Sequence, residues 1–459
     1  MTRTPPRGSA VVIGGGYAGL LAARVLSGHF RRVTVLEQDA SPGAEARPGV
    51  PQSHHPHALL ARGAAQLEEF FPGLRAELLA QGCPVTDFAE GVRILFPTGW
   101  APRDPIGIEV QLLARSLLEQ AIRERVTALD NVTFQNGLRA DRLLIDRADN
   151  GIAVAARPRT PDGPGADELV LHADLVVDAT GRGSRLPQWL TRAGYQLPAP
   201  LVVDGKASYA SRAYTVKDDP DRDWFASYQP TIAPSAPRGG IAVRVGPDRW
   251  LLSLVGAAGH RAPADEDGFR AYAAGMRNPD FVRIIDEGTP TGPIFRTHTT
   301  ANRWHPYHRV PHWPGRLIAL GDSICAFNPV YGQGMTVAAL QAGLLDTLLT
   351  RHGAMDSLGP TFQRGAAALV RSAWLVSTST DRLWQGADLP LTSRLGTAFM
   401  GALTARVPHH PGLYLRFVRT MQMLDPATTF ASPRALAQFA SLPSIPRHLT
   451  NCTCPGAAT

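Results

Sequence analysis

The 459-residue chain is short of cysteine, lysine and long apolar runs, and each shortage excludes a class of protein. Cysteines stand only at Cys83, Cys325, Cys452 and Cys454, too scattered for a disulfide framework and consistent with reduced thiols. No role is evident for the tail pair Cys452 and Cys454. No stretch approaches the ~20 apolar residues of a membrane span. The first apolar run leads into a glycine-rich turn rather than a signal-peptide cleavage site, so a cytoplasmic location is expected. Lysine is confined to Lys206 and Lys217, and the formal charge of +7 comes from arginines dispersed along the chain. No basic run is interleaved with stacking aromatics, which argues against nucleic acid as a partner. Histidines gather at His54, His55 and His57 and again at His305, His308 and His312. Pro306 and Pro311 break any helix that would align the second trio, and no acidic or cysteine partner stands nearby, so no metal site is expected.

What remains is an ordinary globular composition, 44% hydrophobic and 19% charged, in a chain too long for one compact core. Two or three substructures are expected. The apolar run Ala10-Val11-Val12-Ile13 leads into Gly14-Gly15-Gly16-Tyr17-Ala18-Gly19 and then a helical pattern at Leu20, Leu21, Val25 and Leu26. This is G-x-G-x-x-G between a strand and a helix. Gly14 permits the tight turn, Gly16 and Ala18 bring backbone toward a pyrophosphate, and Gly19 allows the helix to pack on the strand. A second strand, Val33 to Leu36, ends in Glu37 and Gln38, where such folds place a ribose-binding acid. An acid there repels a 2′-phosphate, which favours FAD or NAD over NADP at this site.

A second junction of the same kind runs from Gly321 to Met335, reading G-D-S-I-C-A-F-N-P-V-Y-G-Q-G-M. It follows the short apolar run Leu317 to Leu320 and precedes helical spacing from Thr336 to Leu349. Asp322 is placed to accept hydrogen bonds from ribityl or ribose hydroxyls. The amides near Gly332, Gly334 and Met335 can approach an anionic or carbonyl-rich ring without Cβ obstruction. A third strand, Leu175 to Val177, ends in Asp178-Ala179-Thr180-Gly181-Arg182-Gly183-Ser184-Arg185. Three acid-and-glycine junctions after strands predict one crevice at the carboxyl ends of a sheet. Gln111 to Arg125 reads as an amphipathic helix, and Arg115 in its first turns either reaches a pyrophosphate or projects into solvent.

Val132 to Phe134, Arg142 to Ile145, Ile152 to Ala155 and Leu169 to Leu171 read as short strands, the last two joined by a proline- and glycine-rich hairpin loop. Beyond Val202 the texture changes. Ala207 to Val216 and Ile241 to Val255, the latter folded at Gly246-Pro247-Asp248-Arg249, predict an antiparallel sheet. Its aromatics Tyr209, Tyr214, Trp224, Phe225 and Tyr228 are expected to be core for the most part, with pocket lining as the other use. The fold class is therefore α/β: a Rossmann-like FAD-binding domain, an inserted antiparallel-sheet substrate domain and a helical C-terminal region. Residues 1–75, 101–200 and 296–350 are assigned to the first, 76–100 and 201–295 to the second, and 351–459 to the third.

These motifs together resemble the class A FAD-dependent monooxygenase family with the p-hydroxybenzoate hydroxylase fold, over about three quarters of the chain. Gly14 to Gly19 with Glu37 matches the family's dinucleotide fingerprint, Arg115 its helix arginine near the pyrophosphate, and Gly321-Asp322 with Pro329, Gly332 and Gly334 its flavin-binding block. More narrowly, R-P-G-V-P-Q at Arg47 to Gln52, A-R-G at Ala61 to Gly63, D-A-T-G-R-G-S and F-N-P-V-Y-G-Q-G-M resemble bacterial polyketide flavin epoxidases and their redox-neutral [4+2] cyclase relatives. The resemblance implies FAD as cofactor, NAD(P)H as a possible reductant, and oxygen transfer through a flavin C4a-hydroperoxide to an alkene of a large apolar polyene or polyketide. Its alternative is a cyclase folding a linear polyene into a decalin around a structural FAD; a flavin-binding protein without turnover is a third reading. No side chain is assigned a catalytic role, because the cofactor carries such chemistry. Two departures stand out: His54-His55-Pro56-His57 replaces the epoxidases' R-H-A-H, and the hydroxylases' Asp-Gly motif reads Asp178-Ala-Thr-Gly181.

Overall fold

The computed structural model describes residues 7–40, 56, 59–159, 168–351, 355–385 and 391–431. The segment Arg47 to Gln52, the histidines at 54, 55 and 57, and the tail pair Cys452 and Cys454 lie outside the described residues. Cys83 and Cys325 are buried free thiols.

The first apolar run extends to the strand Arg7–Ile13, at the centre of a five-stranded parallel sheet. Across it the order is Leu317–Ala319, Leu175–Asp178, Arg7–Ile13, Phe30–Glu37 and Val132–Asn136. Ala10 to Ile13 are at most 2% exposed, as expected for a strand covered on both faces, which cannot alternate polar and apolar side chains. The helices Tyr17–Ser27 and Gln333–Arg351 pack together on this sheet, and the long helix Leu358–Leu383 packs on Gln333–Arg351 and on the edge strand Leu317–Ala319. An antiparallel meander, Leu138–Ile145, Ile152–Pro158 and Leu169–Ala173, lies against the same sheet.

Pairing overrides one helical expectation. Gln111 does not begin a helix: Glu109–Gln111 pairs antiparallel with Val85–Asp87, and Ala114 is extended, so the helix runs Arg115–Thr127. Arg115 is its first residue.

The second sheet is built on Ser208–Thr215, Arg249–Gly256, Arg238–Arg244 and Ala226–Gln229, with Val92–Phe96 added in parallel to Ala226–Gln229. Alternation along these strands divides its side chains between two layers. Ala210, Tyr214, Leu252 and Leu254 meet Phe269, Phe281 and Ile284 from the helices Glu266–Ala274 and Asp280–Glu287. Ile94, Phe96, Ala226 and Val243 cluster with Leu403, Tyr414 and Val418 from Leu391–Arg406 and Pro411–Met421. Phe96 meets Phe417 edge to face at 5.5 Å. The C-terminal helices thus roof the sheet. No helix among the described residues is long and apolar enough to cross a membrane.

Gly63 in the A-R-G motif explains how the helix Ala61–Phe70 reaches Gln333–Arg351. A Cβ on Gly63 would lie 2.5 Å from Thr336 Oγ1 and 3.0 Å from its Cα, whereas one on Gly292 would meet nothing within 4 Å. Gly63→Ala is expected to destabilise by about 1–3 kcal/mol through overpacking, while Gly292→Ala stays within about 0.5 kcal/mol of the parent. Shifts in the urea midpoint measure both, and equal midpoints for the two variants would refute the close helix contact.

Candidate functional site

Backbone pairing brings the three strand-end junctions together. Gly14 N donates to Leu36 O at 2.8 Å, Ala179 N to Ile13 O at 2.8 Å, and Leu320 N to Asp178 O at 2.9 Å. Gly19 packs so closely that a Cβ would overlap the Gly14 carbonyl oxygen, which is what lets the first helix rise directly from the turn. Gly16 caps that helix without a side-chain hydrogen bond.

Each junction contributes different chemistry. Glu37 is buried at its strand end, and its two oxygens accept the amides of Gly15 and Asp39, each at 3.0 Å. The carboxylate is therefore fixed before any ligand arrives. Asp322 is half-buried and takes no hydrogen bond from the described residues. Burial pushes its carboxyl above the ordinary carboxylate range, against the pull of Arg182, Arg115 and Arg303. Arg182 is anchored to the carbonyls of Ala301 at 2.7 Å and Phe327 at 2.8 Å. Asp178, the third strand-end acid, differs in role. It accepts Thr180 N at 3.1 Å, Thr180 Oγ1 at 2.6 Å and Ser184 Oγ at 2.6 Å, which closes its own turn, and it is fully buried.

Arg115 Nε lies 3.4 Å from Glu119 Oε2, one turn along, while Glu119 Oε1 accepts Tyr17 N at 2.7 Å. Glu119 thus joins the N-termini of two helices. Sequence reasoning passed over it, although an acid four residues after Arg115 was the available signal. Beyond Asp322, Asn328 accepts Val330 N through its side chain, Pro329–Tyr331 forms a short 3₁₀ turn, Gly332 is left-handed at φ 64°, and Gln333 opens the following helix. Gly321 N donates to Gln341 Oε1 at 2.7 Å, which holds the block to that helix.

One cavity of 1160 Å³ connects these groups. Gly14, Gly16, Ala18, Glu37, Gln38, Arg115, Asp322, Pro329, Gly332, Gly334 and Met335 line it; Gly15 and Gly19 stand behind. From the junctions it continues along the second sheet, between Ile94, Phe96, Tyr228 and Val243 and the helical roof at Leu403, Phe417 and Met421. Among the described residues, the charged ones that line it, Glu37, Asp39, Arg115, Arg139, Arg182, Arg185, Arg303 and Asp322, belong to the junctions and the elements beside them. Along the sheet the described lining residues are uncharged. Of the aromatics singled out by sequence, Tyr214 and Trp224 are core, Phe225 lies beneath Arg244, and Tyr209 and Tyr228 line the cavity. Burial raises the Tyr228 hydroxyl to about 12. His305 stacks on Tyr307 and, half-buried beside Arg303, is lowered to about 4; His308 stacks on Trp304. Among the described residues no cluster of three histidine, cysteine or acidic side chains is placed to hold a metal ion.

The donor set fits a dinucleotide: a helix start capped only by glycine backbone, an arginine beside it, a fixed acid at the Glu37 strand end, and Asp322, which takes no hydrogen bond from the described residues, at the Gly321 junction. Residues 12–73 match the model of an NAD(P)-binding Rossmann-like domain. The chain is 33% identical to Protein Rv3254 of Mycobacterium tuberculosis over 438 residues, covering 92% of this chain and 90% of the relative. Kynurenine 3-monooxygenase of Salinispora tropica is 28% identical over 368 residues, 75% of this chain and 73% of that one. The flavin-dependent brominase Bmp2 superposes with a TM-score of 0.65 at 16% identity, covering 94% of this chain and 96% of its own. The Diels-Alderase PyrE3 of pyrroindomycin biosynthesis gives 0.58 at 20% identity, covering 91% and 80%.

Asp322 sets a pH test. Its folded-state pKa is raised, so its stabilising contribution is fully present below the unfolded value of about 3.9 and is lost as pH rises through the folded value. Relative to Asp322→Asn, the ligand-free parent is expected to lose stability as pH climbs from about 4 to 7. Urea unfolding of both proteins across that range reads the difference, and a pH-independent gap would contradict the assignment.

Proposed function

Because the chain belongs to the class A FAD-dependent monooxygenase family, with the p-hydroxybenzoate hydroxylase fold, we propose that it is a natural-product tailoring enzyme that oxygenates an alkene of a large apolar, polyketide-like substrate. One observation carries this reading: a single cavity joins three strand-end junctions to a sheet face along which no charged side chain among the described residues lines it. A charged substrate would be desolvated there without a counter-ion, at a cost of several kcal/mol or more. An apolar chain gains by the same transfer.

In this proposal Gly14, Gly16 and Ala18 hold the FAD pyrophosphate with Arg115, and Glu37 with Gln38 meets the adenosine ribose. Asp322 takes the ribityl hydroxyls, and Pro329, Gly332, Gly334 and Met335 border the flavin ring. Bound there, FAD supplies the redox chemistry, with NAD(P)H as electron source and O₂ as oxidant. The chain's own work is to orient and to exclude water. Ile94, Phe96 and Val243 form an apolar floor, Phe417 and Met421 form the roof, and no side chain is asked to act as nucleophile or base.

The same uncharged lining also suits a redox-neutral [4+2] cyclisation, which needs a folded polyene and no acid or base. Incubating the flavin-loaded protein with a linear polyene, with and without NAD(P)H and O₂, separates the two. The expected product gains one oxygen and needs both reagents. An isomer formed anaerobically without reductant would replace the oxygenase reading with the cyclase, and turnover of neither kind would reject both. Independently, Glu37→Ala and Asp322→Ala are each expected to weaken FAD binding at least about tenfold, since each removes hydrogen bonds to a charged group. Titration by flavin fluorescence quenching measures this, and parental affinity in both variants would reject the residue map.

A further inference from the structure

Outside the residues already assigned, the buried carboxylate of Asp381 stands out. It lies in the last turn of Leu358–Leu383 and is 2% exposed. Asn302 Nδ2 donates to its Oδ2 at 2.7 Å, Asn328 Nδ2 reaches Oδ1 and Oδ2 at 3.2 and 3.0 Å, and Tyr331 Oη donates to Oδ1 at 3.0 Å. All these partners are donors, the arrangement an ionised carboxylate requires. Burial favours its protonated form, and the hydrogen bonds from Asn328, Tyr331 and Asn302 oppose that. A negative charge at a helix C-terminus also runs against the helix dipole. The placement is costly for the helix, so its benefit lies with the partners.

Those partners belong to the block that precedes Gly332. With Nδ2 held by Asp381, Asn328 must present Oδ1 to Val330 N at 3.3 Å and to Tyr209 Oη at 2.5 Å. The first bond caps the Pro329–Tyr331 turn and the second ties it to the substrate sheet. Asn302 is oriented in the same way: its Nδ2 meets Asp381, while its Oδ1 accepts Asn328 N at 2.8 Å and Ser377 Oγ. Tyr209, Asn328 and Tyr331 all line the cavity. One carboxylate thereby sets two amide orientations and one tyrosine hydroxyl.

We propose that Asp381 is a positioning residue for the flavin-ring cradle, acting through Asn328 and Tyr331 on the turn before Gly332. The inference rests on the FAD reading above. The room is set by Gly205, whose added Cβ would lie 2.8 Å from Asp381 Cγ, so a longer glutamate is not a useful variant and the isosteric amide is. Asp381→Asn turns an NH₂ toward donors. The full-length variant is expected to raise the FAD Kd at least tenfold and to shift the visible band of the flavin it still binds. Tyr331→Phe, which removes one donor, should raise Kd a few-fold. In the double variant Asp381→Asn with Asn328→Asp, the new carboxylate again faces only donors, Val330 N, Tyr209 Oη and the amide at 381, so both readouts should return toward the parent. Parental Kd and band in folded D381N, or a loss the double variant fails to recover, overturns the proposal. If D381N does not fold, Y331F decides, and unchanged Kd and band there overturn it. A parent that takes up no FAD removes the cofactor reading and this inference together; a parent that binds beside a D381N that binds equally removes the inference alone.

Discussion

The site depends first on the parallel register that sets Ile13 between Leu36 and Asp178, with Ala319 beyond. In a parallel sheet all strands end on the same side, so groups far apart in the chain emerge at one edge. Glu37, Gly14, Gly16 and Asp322 share a crevice because backbone hydrogen bonds hold those ends in step. A slip of one residue would turn every strand-end side chain to the other face. Buried runs such as Ala10 to Ile13 and Leu175 to Val177 oppose that slip only through packing, so the close fits around Gly14 and Gly19 carry part of the specification.

From this edge the cavity divides into two electrostatic environments. At the junctions Asp322 faces Arg115, Arg182 and Arg303, and the arginines are held by carbonyls or by Glu119. Charges fixed in this way need little reorganisation when an anionic ligand arrives. Along the sheet, alternation has sent Ile94, Phe96 and Val243 to the cavity side, where hydroxyls such as that of Tyr228 interrupt the apolar lining. A ligand with one anionic end and one apolar end matches both environments, and so does a cofactor seated beside a separate apolar substrate.

Sequence read the local parts well because their signals are local. Strand, glycine turn, helix and terminal acid fall within one short stretch, so Gly14 to Glu37 and Gly321 to Met335 could be read without knowing the rest of the chain. Glu119 and Asp381 were missed because their partners are distant: Tyr17 lies 102 residues from Glu119, and Asn302 lies 79 from Asp381. The start of the Arg115 helix was set too early for a related reason, since Gln111 ends a strand pair with Val85–Asp87 that no helical periodicity reveals, and Leu112 and Leu113 join the core before the helix begins. Asp178 was read by position alone. Its Thr180 and Ser184 neighbours turn it inward, a choice between self-capping and ligand capping that the motif does not encode.

The Asp381 network gives the C-terminal helical region a role beyond a roof. Apolar packing of Leu403, Tyr414 and Val418 covers the sheet and is tolerant of small displacements, because dispersion and area burial are nearly isotropic. Hydrogen bonds are directional, and an amide that is held at its nitrogen has its oxygen aimed as well. Asp381 therefore couples the position of the helix Leu358–Leu383 to the orientation of Asn328 and Tyr331 at the cavity wall. Two different forces thus reach the site from the same end of the chain: one covers the apolar face of the second sheet, and the other sets the angle of the turn beside it.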